Sequence, residues 1–569
     1  MIYCLADNVV SPLGMTTAEN YLAVKNGQTA LRRFDHHWSL PEAFTASLFS
    51  DEQNQQLAID GLTRFESLAV RSAQDAIGRS GMDVASQRAV FILSSTKGNI
   101  ELLSHHSSSL SPQPSALGMG TAARHISRYL GFTTEPIVVC NACISGVSAI
   151  MLAQRLLEAD VYDYAVVCGT DVQNKFTVSG FQSLKAISEE ACRPFDMERL
   201  GLNLGEAAAT MVFSHSQPST VSPCWAVCRS SVYNDAYHIS APSKDGEGAR
   251  LALAQVLEDV NIEDIAFVNA HGTATMYNDQ MESKAIERAG LNNVPVNALK
   301  GYFGHTLGAA GVLETVISMA AADDHTILAT KGFEELGVSG KIQVTSTSLN
   351  TDKHCFVKMI SGFGGCNGAL LLKRDTASTP SRRHLNGLEA APRALRGGTS
   401  IKVTPETPLT LLYKEHIGDY PKYYKMDGLS RLGFVASELL LRGDGSPDHS
   451  RLATTDQENR PRTAVILFNR SSSIDADRKY QASIADDDFF PSPSVFVYTL
   501  PNIVTGEIAI RHQWREETSF YILPERNDAL MQQIAQASLA ANGAEQVLTG
   551  WIDYEDENNY ECELTIWKN

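Results

Sequence analysis

Along residues 1 to about 374, short apolar runs rich in β-branched residues alternate with stretches whose apolar positions recur at helical spacing. The strand-like runs are RAVFILSS from Arg88, EPIVVC from Glu135, DYAVVCGT from Asp163, IAFVNAHG from Ile265 and GALLLK from Gly368. ISGVSAIMLAQRLLEA, from Ile144, carries the 3.6-residue period of a helix with Glu158 near its end. Strands alternating with helices of this size predict an α/β architecture. From about 375 to 403 Ser, Thr, Pro, Gly and Arg displace any sustained apolar period, which predicts a linker.

Residues 404 to 569 repeat the order of the first region's front half. RAVFILSSTKGNIE answers to TAVILFNRSSSIDAD from Thr463, LSPQPSALGMGTAARHISRYLG to FFPSPSVFVYTLPNIVTGEIAIRH from Phe489, and DYAVVCGTD to EQVLTGWID from Glu545. At an offset of about 382 residues, EPIVVCNACISG falls on TSFYILPERNDA, so Glu525 or a neighbour stands where the first copy has Cys143. The second copy has no thiol there, and its single cysteine, Cys562, lies far downstream. It is expected to be a truncated, noncatalytic half-fold; two unrelated α/β segments that agree by chance are the other reading.

A chain of 569 residues predicts two or three structural units. With 43% hydrophobic and 20% charged residues its usage is that of an ordinary globular protein. The net charge of −18 argues against nonspecific nucleic-acid binding, which relies on clustered Lys and Arg, and an acidic carrier protein would need a local basic patch. Ten cysteines scattered singly, many within apolar runs, suggest reduced core thiols rather than a disulfide framework. The opening MIYCLADNVVSPLG has no basic segment leading into an apolar run, and no uninterrupted apolar stretch approaches membrane-spanning length, so a cytoplasmic protein is expected.

The candidate chemistry begins at Cys143. It lies in NAC, between the strand-like PIVVC and the helix that follows, so it occupies a strand-to-helix turn. A thiol there meets the positive end of the helix dipole and unpaired N–H groups, which favour thiolate and can bind an oxyanion. An isolated cysteine in an apolar run is ordinarily small core packing, but Ala142, Ser145 and Gly146 leave room for a ligand. Cys140, inside the strand, is expected to be inert.

His271 follows an apolar strand in IAFVNAHGTAT, and His305, thirty-four positions on, sits between glycines in KGYFGHTLGAAG. Both are loop positions emerging from core elements, where functional side chains are commonly placed. Each alone would more often be a hydrogen-bonded structural histidine. A cysteine hydrolase would use one of them with an Asn or Asp orienter and leave the second, and Lys300, unexplained. A metal site is not expected, because neither motif offers ligands at i, i+4 spacing. Decarboxylative condensation uses all three groups: a thioester on Cys143 as electrophile, and two imidazole N–H donors for the enolate oxygen formed when malonyl loses carbon dioxide.

These residues resemble the β-ketoacyl synthase family of condensing enzymes over about residues 1 to 374. The motifs are VVSPLG, NACISG, RPFDMERLGLNLGEAA from Arg193, NAHGTAT, the KxxxGHxxGAAG pattern from Lys300, and SGFGGCNGALLL. The resemblance implies a thiolase-like, five-layered α-β-α-β-α fold, with Cys143 as acyl acceptor and its own N–H and that of Phe363 as the oxyanion hole. It also implies His271 and His305 as the decarboxylation pair, Lys300 and Glu314 as a supporting charged pair, and Phe363 as a gating aromatic, with Thr273 and Thr275 as further substrate-binding positions. No metal or organic cofactor is implied. Implied partners are an acyl carrier protein, acyl and malonyl thioesters, and a second condensing-enzyme subunit, in a homodimer or a heterodimer. The expected product is a β-ketoacyl carrier in fatty-acid or specialised lipid, polyene or polyketide synthesis; a noncatalytic partner or scaffold is the alternative. Two departures fall at the gate, where Ser361 and Cys366 replace the usual phenylalanine and threonine. The half-fold would leave a core face needing a cover, so docking of 404 to 569 onto the synthase region or onto a related subunit is expected.

Overall fold

The computed structural model describes residues 1–105, 117–216, 224–375, 396–443, 461–485, 488–541 and 543–568. The run AVFILS forms a wholly buried strand, Ala89–Ser94, because both of its faces are covered by helices. It lies between two parallel neighbours, Ile137–Val139 and Tyr164–Asp171. The latter pairs antiparallel with Ala207–Ser214, which pairs antiparallel with Ile2–Val10. Through Cys224–Asn234 the sheet continues into a second set, Cys366–Asp375, Cys355–Gly362, Phe267–Asn269 and Pro295–Asn297.

Helices Ser145–Glu158 and Ala310–Asp323 form the middle layer of this thiolase-like α/β fold, each packing on both sets of strands and on the other. They touch backbone to backbone at two glycines: a Cβ on Gly146 would lie 2.9 Å from the Cα of Gly311. Helices Arg64–Ser80 and Met119–Tyr129 cover the outer face of the first set, and Glu247–Leu257 that of the second.

The second segment rebuilds the first set as a mirror. Thr518–Ile522, Thr463–Asn469, Gln546–Asp556, Asn559–Lys568 and Arg396–Val403 follow one another in the order of Ile137–Val139, Ala89–Ser94, Tyr164–Asp171, Ala207–Ser214 and Ile2–Val10, with the same parallel and antiparallel senses. The two copies join edge to edge: Ile137–Val139 pairs antiparallel with Thr518–Ile522, Val138 opposite Ile522 and Val139 opposite Tyr521, giving one 16-stranded sheet. Buried apolar residues of the two segments form common clusters, with Ile150 and Leu156 of the central helix in one core with Tyr521, Ile534 and Leu539. The core face expected to need a cover is thus closed by the first segment.

The expected linker needs correction at its far end. Residues 376–395 lie outside the described residues, but Arg396–Val403 is a strand, paired with Asn559–Lys568. Its Gly- and Ser-rich text hides the apolar alternation of a strand that pairs on one side only.

Candidate active site

Cys143 stands where the sequence pattern places it, in a short 3₁₀ turn, Ala142–Ile144, between the strand Ile137–Val139 and the helix Ser145–Glu158. The turn is tight enough to force Ala142 to φ +48°, a conformation costly for a side chain bearing a Cβ. Hydrogen bonds hold it: Asn141 N–H donates to Ser145 Oγ at 2.8 Å, and Ser145 Oγ donates to Ala142 O at 2.6 Å. The Asn141 side chain reaches across the junction, its Oδ1 accepting from Phe520 N–H at 2.9 Å. The second segment thereby fastens the turn that carries Cys143.

The expected shift of this thiol toward thiolate does not hold in the resting site. Burial pushes the Cys143 thiol up to about 12, although Lys300 and the backbone N–H groups of Cys143 and Phe363 pull it down. Cys143 keeps partial exposure at the cavity, but the protein around its sulfur solvates a charge poorly, and that desolvation outweighs the dipole. Those two N–H groups are the ones the family resemblance implies as an oxyanion hole, and both face the sulfur. Cys140 is fully buried and its thiol is pushed up further, also by burial.

His271 and His305 come together with Cys143. One ring nitrogen of each and the Cys143 Sγ lie within 4.8 Å of one another. The rings meet edge to face, centroids 5.0 Å apart. Burial, then the positive charge of Lys300 and Lys358, holds both imidazoles well below their ordinary range, so they are neutral at pH 7. His305 Nδ1 accepts from Leu307 N–H at 3.2 Å, which leaves the proton on Nε2, a buried atom with no protein partner.

Behind the histidines lies a buried charge cluster larger than the pair expected. Lys300 Nζ donates to Glu314 Oε1 at 2.7 Å and to the His271 carbonyl at 2.6 Å. Lys358 binds the other oxygen of Glu314, and Glu314 is held below its ordinary value by both lysines despite burial. Glu282 accepts from the N–H groups of His271 and Gly272, and Asp279 from Thr273, Ala274 and Phe195. Sequence reasoning missed Lys358, Glu282 and Asp279. A lone lysine inside the apolar run CFVKMISG was the available signal for the first; the two carboxylates sit on an ordinary amphipathic helix, Met276–Arg288, with none.

The site opens on a cavity of about 380 Å³ lined by Cys143, Phe181, His271, Thr273, His305 and Phe363, with Thr275 at its wall. Thr273 and Thr275 bond each other, Oγ1 to Oγ1, at 2.9 Å. The Phe363 ring is half-buried and stacks on Phe181 at 6.3 Å. Of the two departures at the gate, Ser361 donates to Asn367 Oδ1 at 2.7 Å and Cys366 points its thiol at the Phe363 carbonyl. Glu525 lies in the strand-to-helix turn of the second segment and pairs with Arg124 at 2.9 Å.

A partly exposed thiol at a strand-to-helix turn, two N–H groups facing it and two neutral histidines over it define a thiolase-like condensing site. Residues 9–218 match the model of the β-ketoacyl synthase N-terminal domain and residues 225–334 that of the C-terminal domain; the chain belongs to the β-ketoacyl synthase family and is an acyltransferase of that kind. The 3-oxoacyl-[acyl-carrier-protein] synthase 2 of Vibrio cholerae is 28% identical over 403 residues, 64% of this chain and 97% of that protein. A β-ketoacyl synthase from Burkholderia phymatum has 25% identity and a TM-score of 0.58 over 66% of this chain and 99% of its own. The whole chain is matched in fold by the PfaC keto synthase–chain length factor, with TM-score 0.75, 15% identity and 78% of that chain covered. No described helix is long and apolar enough to cross a membrane.

Proposed function

We propose that Cys143 takes an acyl group from a carrier thioester and joins it to a malonyl carrier with loss of carbon dioxide, releasing a β-ketoacyl carrier. The observation that carries these roles is the convergence of Cys143, His271 and His305 within 4.8 Å at one cavity. Cys143 Sγ attacks the acyl thioester carbonyl, whose oxyanion meets the N–H groups of Cys143 and Phe363; the carrier thiolate leaves and takes up the cysteine proton. Malonyl then loses carbon dioxide, and its enolate oxygen accepts hydrogen bonds from His271 and His305. Both rings are neutral, so they stabilise that oxygen as donors without holding a charge in the apolar site. The enolate carbon attacks the acyl group on Cys143, and the cysteine sulfur leaves. Lys300, Lys358 and Glu314 hold the two histidine loops in register.

The reading divides the chain between Asp375 and Arg396 into a synthase, 1–375, and a noncatalytic ketosynthase-like half that begins with the strand Arg396–Val403. That half is read as the counterpart of a partner subunit, such as the chain length factor named in complex with the ketosynthase of Xenorhabdus doucetiae. An acyl carrier protein is the proposed partner, as for the carrier bound to its ketosynthase in another structural neighbour. A cytoplasmic location belongs to the same proposal.

Purified protein incubated with acyl and malonyl carriers, followed by intact mass beside Cys143→Ala, tests it. A product two carbons longer that requires Cys143 is expected. Unchanged substrates with no adduct on Cys143, for every chain length tried, would turn the reading to a noncatalytic scaffold.

A further inference from the structure

Among the described residues, one side chain of the second segment hydrogen-bonds the gate loop. Asn502 immediately precedes the helix Ile503–His512, its backbone already helical at φ −66° and ψ −9°, so its side chain is free of the capping role and makes no capping bond. Its Nδ2 instead donates 2.9 Å to the carbonyl of Phe363, while its Oδ1 is buried without a partner. An amide that leaves a buried acceptor unpaired loses stability, so the bond to Phe363 is what its orientation serves.

The surroundings are built for the contact. A Cβ on Gly506 would lie 2.6 Å from the Gly364 carbonyl oxygen, and one on Gly364 would lie 2.6 Å from Asn502 Nδ2. Cys366 Sγ, 3.3 Å away, also points at the Phe363 carbonyl, and a thiol is a weak donor. The matching helix of the first segment, Met119–Tyr129, begins at Gly118, which has no side chain to offer. The described residues of the second segment contain no counterpart of the loop 362–366 for it to hold.

We propose that Asn502 is a positioning residue for acyl transfer, fixing the loop that carries Phe363. Phe363 presents its N–H to the Cys143 sulfur and its carbonyl to Asn502, so both contacts depend on the same pair of dihedral angles. The inference rests on the reading of Cys143 as acyl acceptor.

Asn502→Asp and Asn502→Ser test it in the full chain. Both are favoured residues at a helix start, so the fold keeps its helix while the amide donor is lost; Asp also sets a carboxylate against the carbonyl. Acyl adduct formation on Cys143 is timed by quenched intact mass, and malonyl-carrier decarboxylation is timed separately. Acylation is expected to fall about tenfold, the worth of one hydrogen bond, more for Asp than for Ser, with decarboxylation changed less than about twofold. If one variant fails to fold, the other carries the measurement. Acylation at the wild-type rate, or equal losses in both half-reactions, overturns the inference. A wild-type protein that takes no acyl group brings down the reading of Cys143 and this inference together.

Discussion

Arg155 Nη1 donates to both carboxylate oxygens of Glu517, at 2.9 and 2.7 Å, in an ion pair sealed between the helix that follows Cys143 and the second segment. Ser519 and Ser538 donate to the same carboxylate. A buried pair of this kind tolerates joint replacement better than the loss of one member, which strands the other charge. Glu517→Ala is expected to lower stability by about 3–5 kcal/mol. Arg155→Met with Glu517→Leu should recover most of that, read by urea denaturation. A single variant no less stable than the double would refute the arrangement.

The same junction predicts the fate of the first segment alone. Residues 1–375 without 396–568 would expose the edge of Ile137–Val139 and the apolar face of Ser145–Glu158, surfaces that promote association. Expression of 1–375 should give aggregate, and co-expression with 396–568 should restore soluble protein; a monodisperse, active 1–375 would contradict this.

Gly146→Ala probes the packing beneath the Cys143 turn. Its Cβ would lie 2.8 Å from Val312 N and 2.9 Å from Gly311 Cα, all backbone, so the two central helices must part. A stability loss of about 1–3 kcal/mol is expected. Because Cys143 sits one turn away, the condensation rate should fall by at least about tenfold. Wild-type rate and melting temperature together would show that the contact yields freely.

Alkylation of Cys143 reports its resting state. With the thiol pushed up to about 12, the iodoacetamide rate should climb about tenfold per pH unit from 7 to 10 with no plateau. Levelling off below pH 8 would mean that the charged groups around the thiol outweigh its burial.

The histidines add a pH-dependent term to stability. His271 and His305 are held well below their ordinary value when folded, whereas the unfolded chain binds a proton on each below about pH 6.5. The unfolded state therefore takes up protons first. Stability falls as pH drops below that value, by up to about 1.4 kcal/mol per unit for each ring, until the folded pKa is reached. His305→Asn should lose less stability than wild type between pH 7.5 and 5.5 in urea titrations; parallel losses would contradict the assignment.

Local pattern was enough for the strand Ile137–Val139, the turn at Cys143 and the loops of His271 and His305, because each depends on residues near one another in the chain. The edge strand Arg396–Val403 escaped, since its stability comes from pairing with Asn559–Lys568 rather than from its own Gly-rich text. The charge on Cys143 also escaped: helix position argues for thiolate, and only the assembled fold supplies the burial that reverses it. Lys358, Glu282 and Asn502 serve the site across separations that no local period encodes. The sequence by itself determined which groups could do the chemistry; the tertiary structure decided their protonation and what holds them, because desolvation and hydrogen bonding depend on every neighbour the fold brings near.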